Sequence, residues 1–225
     1  MTYKKYVTLS YDDGSESDRK IVPMMNAYGL KCTFNLNSGK MTDDDRSDWR
    51  IPRSEAPELY KGHEIATHGL MHPHYREMTR EEIEFDVKED MKNLSEIFGR
   101  PVTGHAYPYG NFNDFVVETV AGCGVRYARL ATSDQTYDPP ADLFRWYPTC
   151  HHAFPNVFEL IDGFLQAEPT DHDLLFYLWG HSFEPDEKDE EFNNWAHIDK
   201  IFKKLSGHDD VEYVTNMEFL EKTGR

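Results

Sequence analysis

The sequence predicts an α/β protein built on a mostly parallel sheet, open or closed into a barrel. Short β-type runs alternate with helical stretches along nearly the whole chain, the order that βαβ units require. Four polar clusters each follow directly on a β-type run, where sheets of this kind gather ligands and catalytic groups. The 225 residues suit one domain, 1–225, and 39% hydrophobic residues can fill its core without disulfides.

Tyr6–Tyr11 reads as the first strand, and Ile21–Tyr28 as a short helix. Lys31–Asn37 is a second strand, in which Cys32, Phe34 and Leu36 alternate on one face. A polar insertion runs from Gly39 to about Pro57, and Glu64–Thr67 is a short third strand. Thr79 is an N-cap with Glu82 completing a capping box; its helix runs to about Phe98 and stops at Gly99, with Pro101 beyond. Val102–Tyr107 is the next strand, Asp114–Ala121 a helix, Val125–Ala131 a strand. Leu174–Trp179 is an apolar run of strand length, Trp195–Leu205 a helix, and Val211–Thr215 closes the chain as a last strand. The acidic run Glu184–Glu191 reads as a solvated loop.

A formal net charge of −17, from 41 acidic and 24 basic residues, repels phosphate backbones and anionic lipid heads. Neither nucleic acid nor a membrane is therefore an expected partner, and no apolar run approaches the length of a membrane span. Cys32, Cys123 and Cys150 are widely spaced and lack a Cys-x-x-Cys pair, so they read as buried reduced thiols. Met1–Lys5 leads straight into a strand without a signal-peptide core. Both features favour the cytoplasm. Oligomeric state leaves no mark on the sequence.

The polar clusters are Asp12-Asp13-Gly14, His68 to His72, Tyr107-Pro108-Tyr109-Gly110 and Gly180-His181. Adjacent Asp12 and Asp13 would face opposite sides of a regular strand. Both reach one site only if the strand ends there, at the turn that Gly14 permits. Taken alone, Asp-Gly is equally a surface turn. His68 and His72 share one face if their segment is helical, a spacing that presents two nitrogens to one metal. His74 falls out of phase and His63 precedes the strand, so neither is expected to ligate. One carboxylate and two histidines leave coordination positions open, the pattern of a catalytic site. Zinc suits these ligands; cobalt, iron, nickel or manganese would also fit.

Ser10-Tyr11-Asp12-Asp13-Gly14 resembles the first motif of the polysaccharide deacetylases, the NodB-like carbohydrate esterases of family 4, usually Thr-Phe-Asp-Asp-Gly. Thr67 to His72 resembles their second motif, His-(Ser/Thr)-x-x-His, with Gly69 in place of Ser or Thr. Tyr107-Pro108-Tyr109-Gly110 is similar to the third motif and Leu178-Trp179-Gly180-His181 to the fifth, in matching order over about residues 6 to 182. The resemblance implies a distorted (β/α)7-type barrel and the removal of N- or O-acetyl groups from a sugar or oligosaccharide by metal-activated water. It implies one divalent metal on Asp13, His68 and His72, Asp12 as general base and His181 as general acid. Pro108, Tyr109, Arg129 and Trp146 are the candidates for substrate and oxyanion contacts. Two departures stand out. Ala106 occupies the place of the third motif's Arg, for which Arg129 or Arg145 could substitute, and the fourth motif is missing. Its carboxylate, which orients the acid histidine, could come from Asp134, Asp138 or the region around Arg145-Trp146. Hydrolysis of a cyclic amide or imide, as in allantoin-like compounds, and sugar binding without catalysis are the competing readings on this fold.

Overall fold

A computed structural model describes residues 3–43, 49–187 and 190–225. Strand β1 (Lys5–Asp12) forms the spine of the sheet, and all eight of its residues are buried. Covered on both faces, it needs no hydrophobic–polar alternation for solvent. Its alternation instead separates two interiors. Val7, Leu9 and Tyr11 join the large apolar cluster beneath the helices, whereas Tyr6 belongs to a second cluster, and Thr8 and Ser10 hydrogen-bond to Asn216 and Asn35 inside the sheet's curl.

After helix α1 (Asp18–Ala27), strand β2 (Cys32–Leu36) pairs in parallel with β1. Beyond the short helix α2 (Ala56–Leu59), β3 (Glu64–Thr67) pairs with β2, and the capped helix α3 (Arg80–Phe98) leads to β4 (Gly104–Ala106). Helix α4 (Asp114–Ala121) then precedes β5 (Tyr127–Arg129), and both strands add in parallel. On the other edge of β1 lies β7 (Leu174–His181), flanked in turn by β6 (Cys150–His151). Helices α5 (Val157–Gln166), α6 (Glu184–Glu187) and α7 (Trp195–Leu205) follow β6 and β7.

The curled seven-strand sheet, in the order β5-β4-β3-β2-β1-β7-β6, is joined end to end by the segment before β6. Trp146 bridges to Arg129 of β5, and three residues later the Thr149 amide donates to Tyr177 of β7. The result is the expected distorted (β/α)7-type barrel. A short β8 (Val211–Tyr213) pairs with the first half of β1.

Two expectations need correction. The chain does not end on a strand: Thr215 and Glu218 form a second capping box that opens helix α8 (Asn216–Thr223). Asn216 reaches Thr8, Thr33, Tyr127 and Tyr177, so the start of α8 closes the end of the barrel away from the polar clusters. Nor is the acidic run simply a solvated loop. Glu184 is buried in α6 and bonded to histidines, because three imidazoles replace the water that would otherwise solvate it. Lys188 and Asp189 of that run lie outside the described residues, as do residues 44–48 of the polar insertion. Among the described residues, no helix is long and apolar enough to cross a membrane. The three cysteines are buried and unpaired with one another, as expected.

Candidate active site

Asp12 ends β1, and the two residues after it take left-handed backbone angles, Asp13 with φ 79° and Gly14 with φ 64°. This sharp turn brings both carboxylates to one cleft instead of opposite faces. At Gly14 a side chain would also collide with Leu36, since an added Cβ lies 2.8 Å from its Cδ2. His72 and Tyr109 likewise have positive φ, 56° and 57°. Of the four such non-glycine residues described, three border one cleft of about 360 Å³, where strained backbone is characteristic of a functional site.

His68 and His72 do come together, though not on a helix as the spacing suggests. A turn with Gly69 at φ 76° carries the chain around, and the two Nε2 atoms end 3.1 Å apart. His68 Nδ1–H donates to the Ala106 carbonyl at 2.8 Å, which leaves Nε2 as a lone-pair donor toward the cleft. Burial lowers the pKa of both imidazoles, with that of His72 at about 3, so both are neutral at physiological pH. Asp13 Oδ1 lies 3.8 Å from His72 Nε2, and donor atoms of all three residues fall within 4.8 Å of one another. Two neutral nitrogens and a carboxylate at these separations fit a divalent cation with bonds of about 2.0–2.1 Å. Arg50, from the polar insertion, donates to the Asp13 carbonyl and lies 3.4 Å from Oδ1.

Asp12 sits between the histidines. Its Oδ2 is 3.8 Å from His68 Nε2 and 3.9 Å from His181 Nε2. Arg129 Nη2 donates to both carboxylate oxygens at 2.5 Å, and Asn35 Nδ2 donates to Oδ1 at 2.7 Å. Burial alone would raise the pKa of Asp12; Arg129, His68 and His181 overcome it and hold the group below the usual carboxylate range. Of the two candidate arginines, Arg129 thus pairs with Asp12, while Arg145 pairs with Asp142 and Asp114 on the surface.

His181, at the end of β7, pairs through Nδ1 with Glu184 Oε1 at 3.2 Å. Burial would lower its pKa, but Glu184 and Asp12 raise it above the ordinary histidine value. Burial likewise opposes ionisation of Glu184, and bonds to His152 and His181 hold it ionised. The partner of His181 is thus Glu184, not Asp134 or Asp138, which bond to Thr136 and His172. The sequence carried this signal as the i+3 spacing after His181, hidden within the acidic run.

Tyr109 lies on the exposed rim, stacked on His74 at 3.9 Å and edge-on to His72 at 4.1 Å. His74 thus lies outside the Asp13, His68 and His72 group and supports the rim. Pro108 is buried in the turn behind Tyr109. Trp146 is not a cleft residue: it packs in the barrel interior against Tyr127, Tyr177 and Phe219. Trp179, part of the fifth-motif match but given no role there, and Phe183, which the sequence did not single out, line the cleft beside His181.

The polysaccharide deacetylase family model matches residues 1–128, and the chain belongs to this family. No protein of curated function matches the sequence. Among solved structures, the Xyl-CE4 domain of a multidomain xylanase, from the hindgut metagenome of Trinervitermes trinervoides, is similar at 18% identity and TM-score 0.63, over 98% of this chain and 92% of that one. A family 4 acetyl xylan esterase from Clostridium thermocellum, in complex with a cobalt ion, aligns at 15% identity and TM-score 0.61, over 97% and 92%. The deacetylase PplD of Streptococcus pyogenes, in complex with acetate, aligns at 17% identity and TM-score 0.51; the match spans 55% of each chain. These likenesses concern the fold.

Proposed function

We infer that this protein hydrolyses acetyl groups from an acetylated sugar or oligosaccharide, using Asp12 as general base and His181 as general acid. The observation that carries the reading is the pair of environments around these residues. One holds a carboxylate ionised, and the other favours a protonated imidazole 3.9 Å away. Groups driven to opposite protonation states within one cleft suit the two halves of acyl transfer.

Asp13, His68 and His72 would hold one divalent cation, which when bound acidifies water and polarises the acetyl carbonyl. Asp12 takes a proton from the water whose oxygen attacks the acetyl carbon. Arg129 and Asn35 fix the carboxylate so that it cannot rotate away. His181 gives its proton to the sugar nitrogen or oxygen as the bond to the acetyl carbon breaks, releasing acetate. Glu184 holds the ring in place for that transfer. Tyr109, Trp179 and Phe183 supply the apolar walls against which a sugar ring can lie. Zinc fits the donors best, and the Clostridium thermocellum structure is in complex with a cobalt ion. The three buried free thiols support a reducing compartment, and we assign the protein to the cytoplasm. Small acetylated sugars then suit it better than cell-wall polymers.

The test is twofold. Elemental analysis of wild type and His68→Ala, purified side by side without chelator, should find one equivalent more metal in the first than in the second. Acetate release from N-acetylated and O-acetylated oligosaccharides should occur with wild type and fall at least a hundredfold in Asp12→Asn, which keeps its metal. Ring opening of a cyclic amide without acetate release would transfer the site to the competing hydrolase reading.

A further inference from the structure

Glu184 is held by more groups than the orientation of His181 requires. Its Oε1 faces His181, while Oε2 lies 3.3 Å from His151 Nε2 and 3.1 Å from His152 Nε2. His151 ends β6 and His152 follows it, with their rings 4.3 Å apart. Donor atoms of the three residues all fall within 4.8 Å of one another. A tetrahedral zinc with bonds of about 2.0–2.1 Å has ligand–ligand edges of about 3.3 Å, close to both nitrogen–oxygen separations.

We propose that His151, His152 and Glu184 form a second divalent-cation site of the zinc class, sharing no ligand with Asp13, His68 and His72. The groups around His152 and Glu184 are suited to it. At His151 the Ala153 amide donates to Nδ1 at 3.1 Å, so Nε2 ligates only once that bond breaks and the ring proton moves to Nδ1. His152 Nδ1 is 3.1 Å from the Tyr11 hydroxyl, which can accept its proton and leave Nε2 to ligate. Asn193 Nδ2 donates to Glu184 Oε2 at 3.3 Å, fixing the carboxylate. His152 is fully buried and therefore preorganised, while the His151 side chain is 19% exposed. The His151 ring lies next to Trp179 and His181, which line the cleft, so a cation can enter from that side. Without metal, the same atoms form a hydrogen-bonded network in which His152 Nε2–H donates to Glu184 or to Asn193 Oδ1. The cation competes with the Nε2 protons of both His151 and His152.

A filled site would draw on the carboxylate that holds His181, so excess zinc slows turnover. That consequence rests on the acid role of His181; the cation site itself does not.

Metal-stripped protein dialysed against cobalt chloride should take up two ions per chain, counted by elemental analysis and by the visible absorption of cobalt. His68→Ala and His151→Ala should each take up one, and the double variant none. His151→Gln, which preserves more of the side-chain volume, serves beside His151→Ala, with circular dichroism checking that each folds. A wild type that binds one ion and loses it in His68→Ala overturns the proposal. So does a folded His151 variant that binds as many ions as wild type, which would leave a hydrogen-bonded network only. If the deacetylase reading failed, acetate would be absent while the count stayed at two; if the second site failed, the count would be one with acetate still released.

Discussion

Arg129 and Asp12 form an ion pair buried to 1% and 3% side-chain exposure, so each charge depends on the other. Removing one partner leaves a charge in a low-dielectric interior, a cost of about 3–5 kcal/mol. Arg129→Met should therefore destabilise by about that amount in urea unfolding. Adding Asp12→Asn should restore most of the loss, because no charge is then stranded. A double variant as unstable as the single one would assign the cost to packing around the guanidinium. At His181 the argument concerns protons. Glu184 raises the pKa of His181, and the proposed acid must be protonated to act. Glu184→Gln removes that support, so the basic limb of the rate profile should move to lower pH, with a smaller change in KM than in kcat. An unmoved limb would exclude Glu184 as the positioning residue.

Elements whose signals are local were legible in the sequence. The Thr79 capping box and Gly99 stop bound α3 as expected, since a cap needs only neighbouring residues. The same Thr-x-x-Glu signal at Thr215 passed for the end of a strand because the residues before it are β-type. Asp12, Asp13, His68, His72 and His181 were brought together by the order of their motifs. What the sequence did not reveal depended on contacts between distant parts of the chain. Arg129 comes from β5, the segment around Trp146 closes the barrel, and Glu184 becomes buried only because β6 delivers two histidines to it. The helical geometry inferred for the His68–His72 pair failed for another reason: i, i+4 spacing is compatible with a turn, and Gly69 makes the turn possible. Gly180 ties strand geometry to the site. A Cβ there would lie 2.0 Å from His152 Nδ1, on a ring already held by Tyr11 and Asn193. Gly180→Ala should displace His152 and release Glu184, lowering kcat at least tenfold where Thr79→Ala costs only about 1 kcal/mol of stability and no activity. Comparing the two variants by acetate release and thermal unfolding separates damage to the site from damage to the fold.

Across the whole molecule, carboxylates pull stability in opposite directions as pH changes. Asp12 and Glu184 have folded pKa values below their unfolded ones. Their contribution is present above about pH 4 and is lost as pH falls through the folded values. Asp18 and Asp90 behave in the reverse sense. Burial raises them to about 7 and about 6, although Ser182 and Tyr60 donate to Asp18, and Ser38 and Thr67 to Asp90. Between an unfolded value near 4 and these folded values, the native state binds more protons than the unfolded chain, so stability falls as pH rises. Each pH unit in that window is worth up to about 1.4 kcal/mol per group. The net charge of −17 adds self-repulsion in the same direction, since more carboxylates are ionised at higher pH. Histidines that burial holds neutral, among them His63, His68, His72, His105 and His152, oppose this below about pH 6.5, where the unfolded chain binds their protons. The unfolding temperature of metal-free protein should therefore decline only above that, from about pH 6.5 to pH 8. Asp18→Asn is the discriminating variant. It keeps one acceptor oxygen for Ser182 or Tyr60 and cannot titrate, so its decline between about pH 6.5 and 8 should be shallower than that of wild type. Added salt should reduce the decline in both proteins through screening, but leave the difference between them, because Asp18 is fully buried. Parallel profiles for the two proteins would mean that Asp18 titrates alike folded and unfolded, and the slope would then belong to the surface charge.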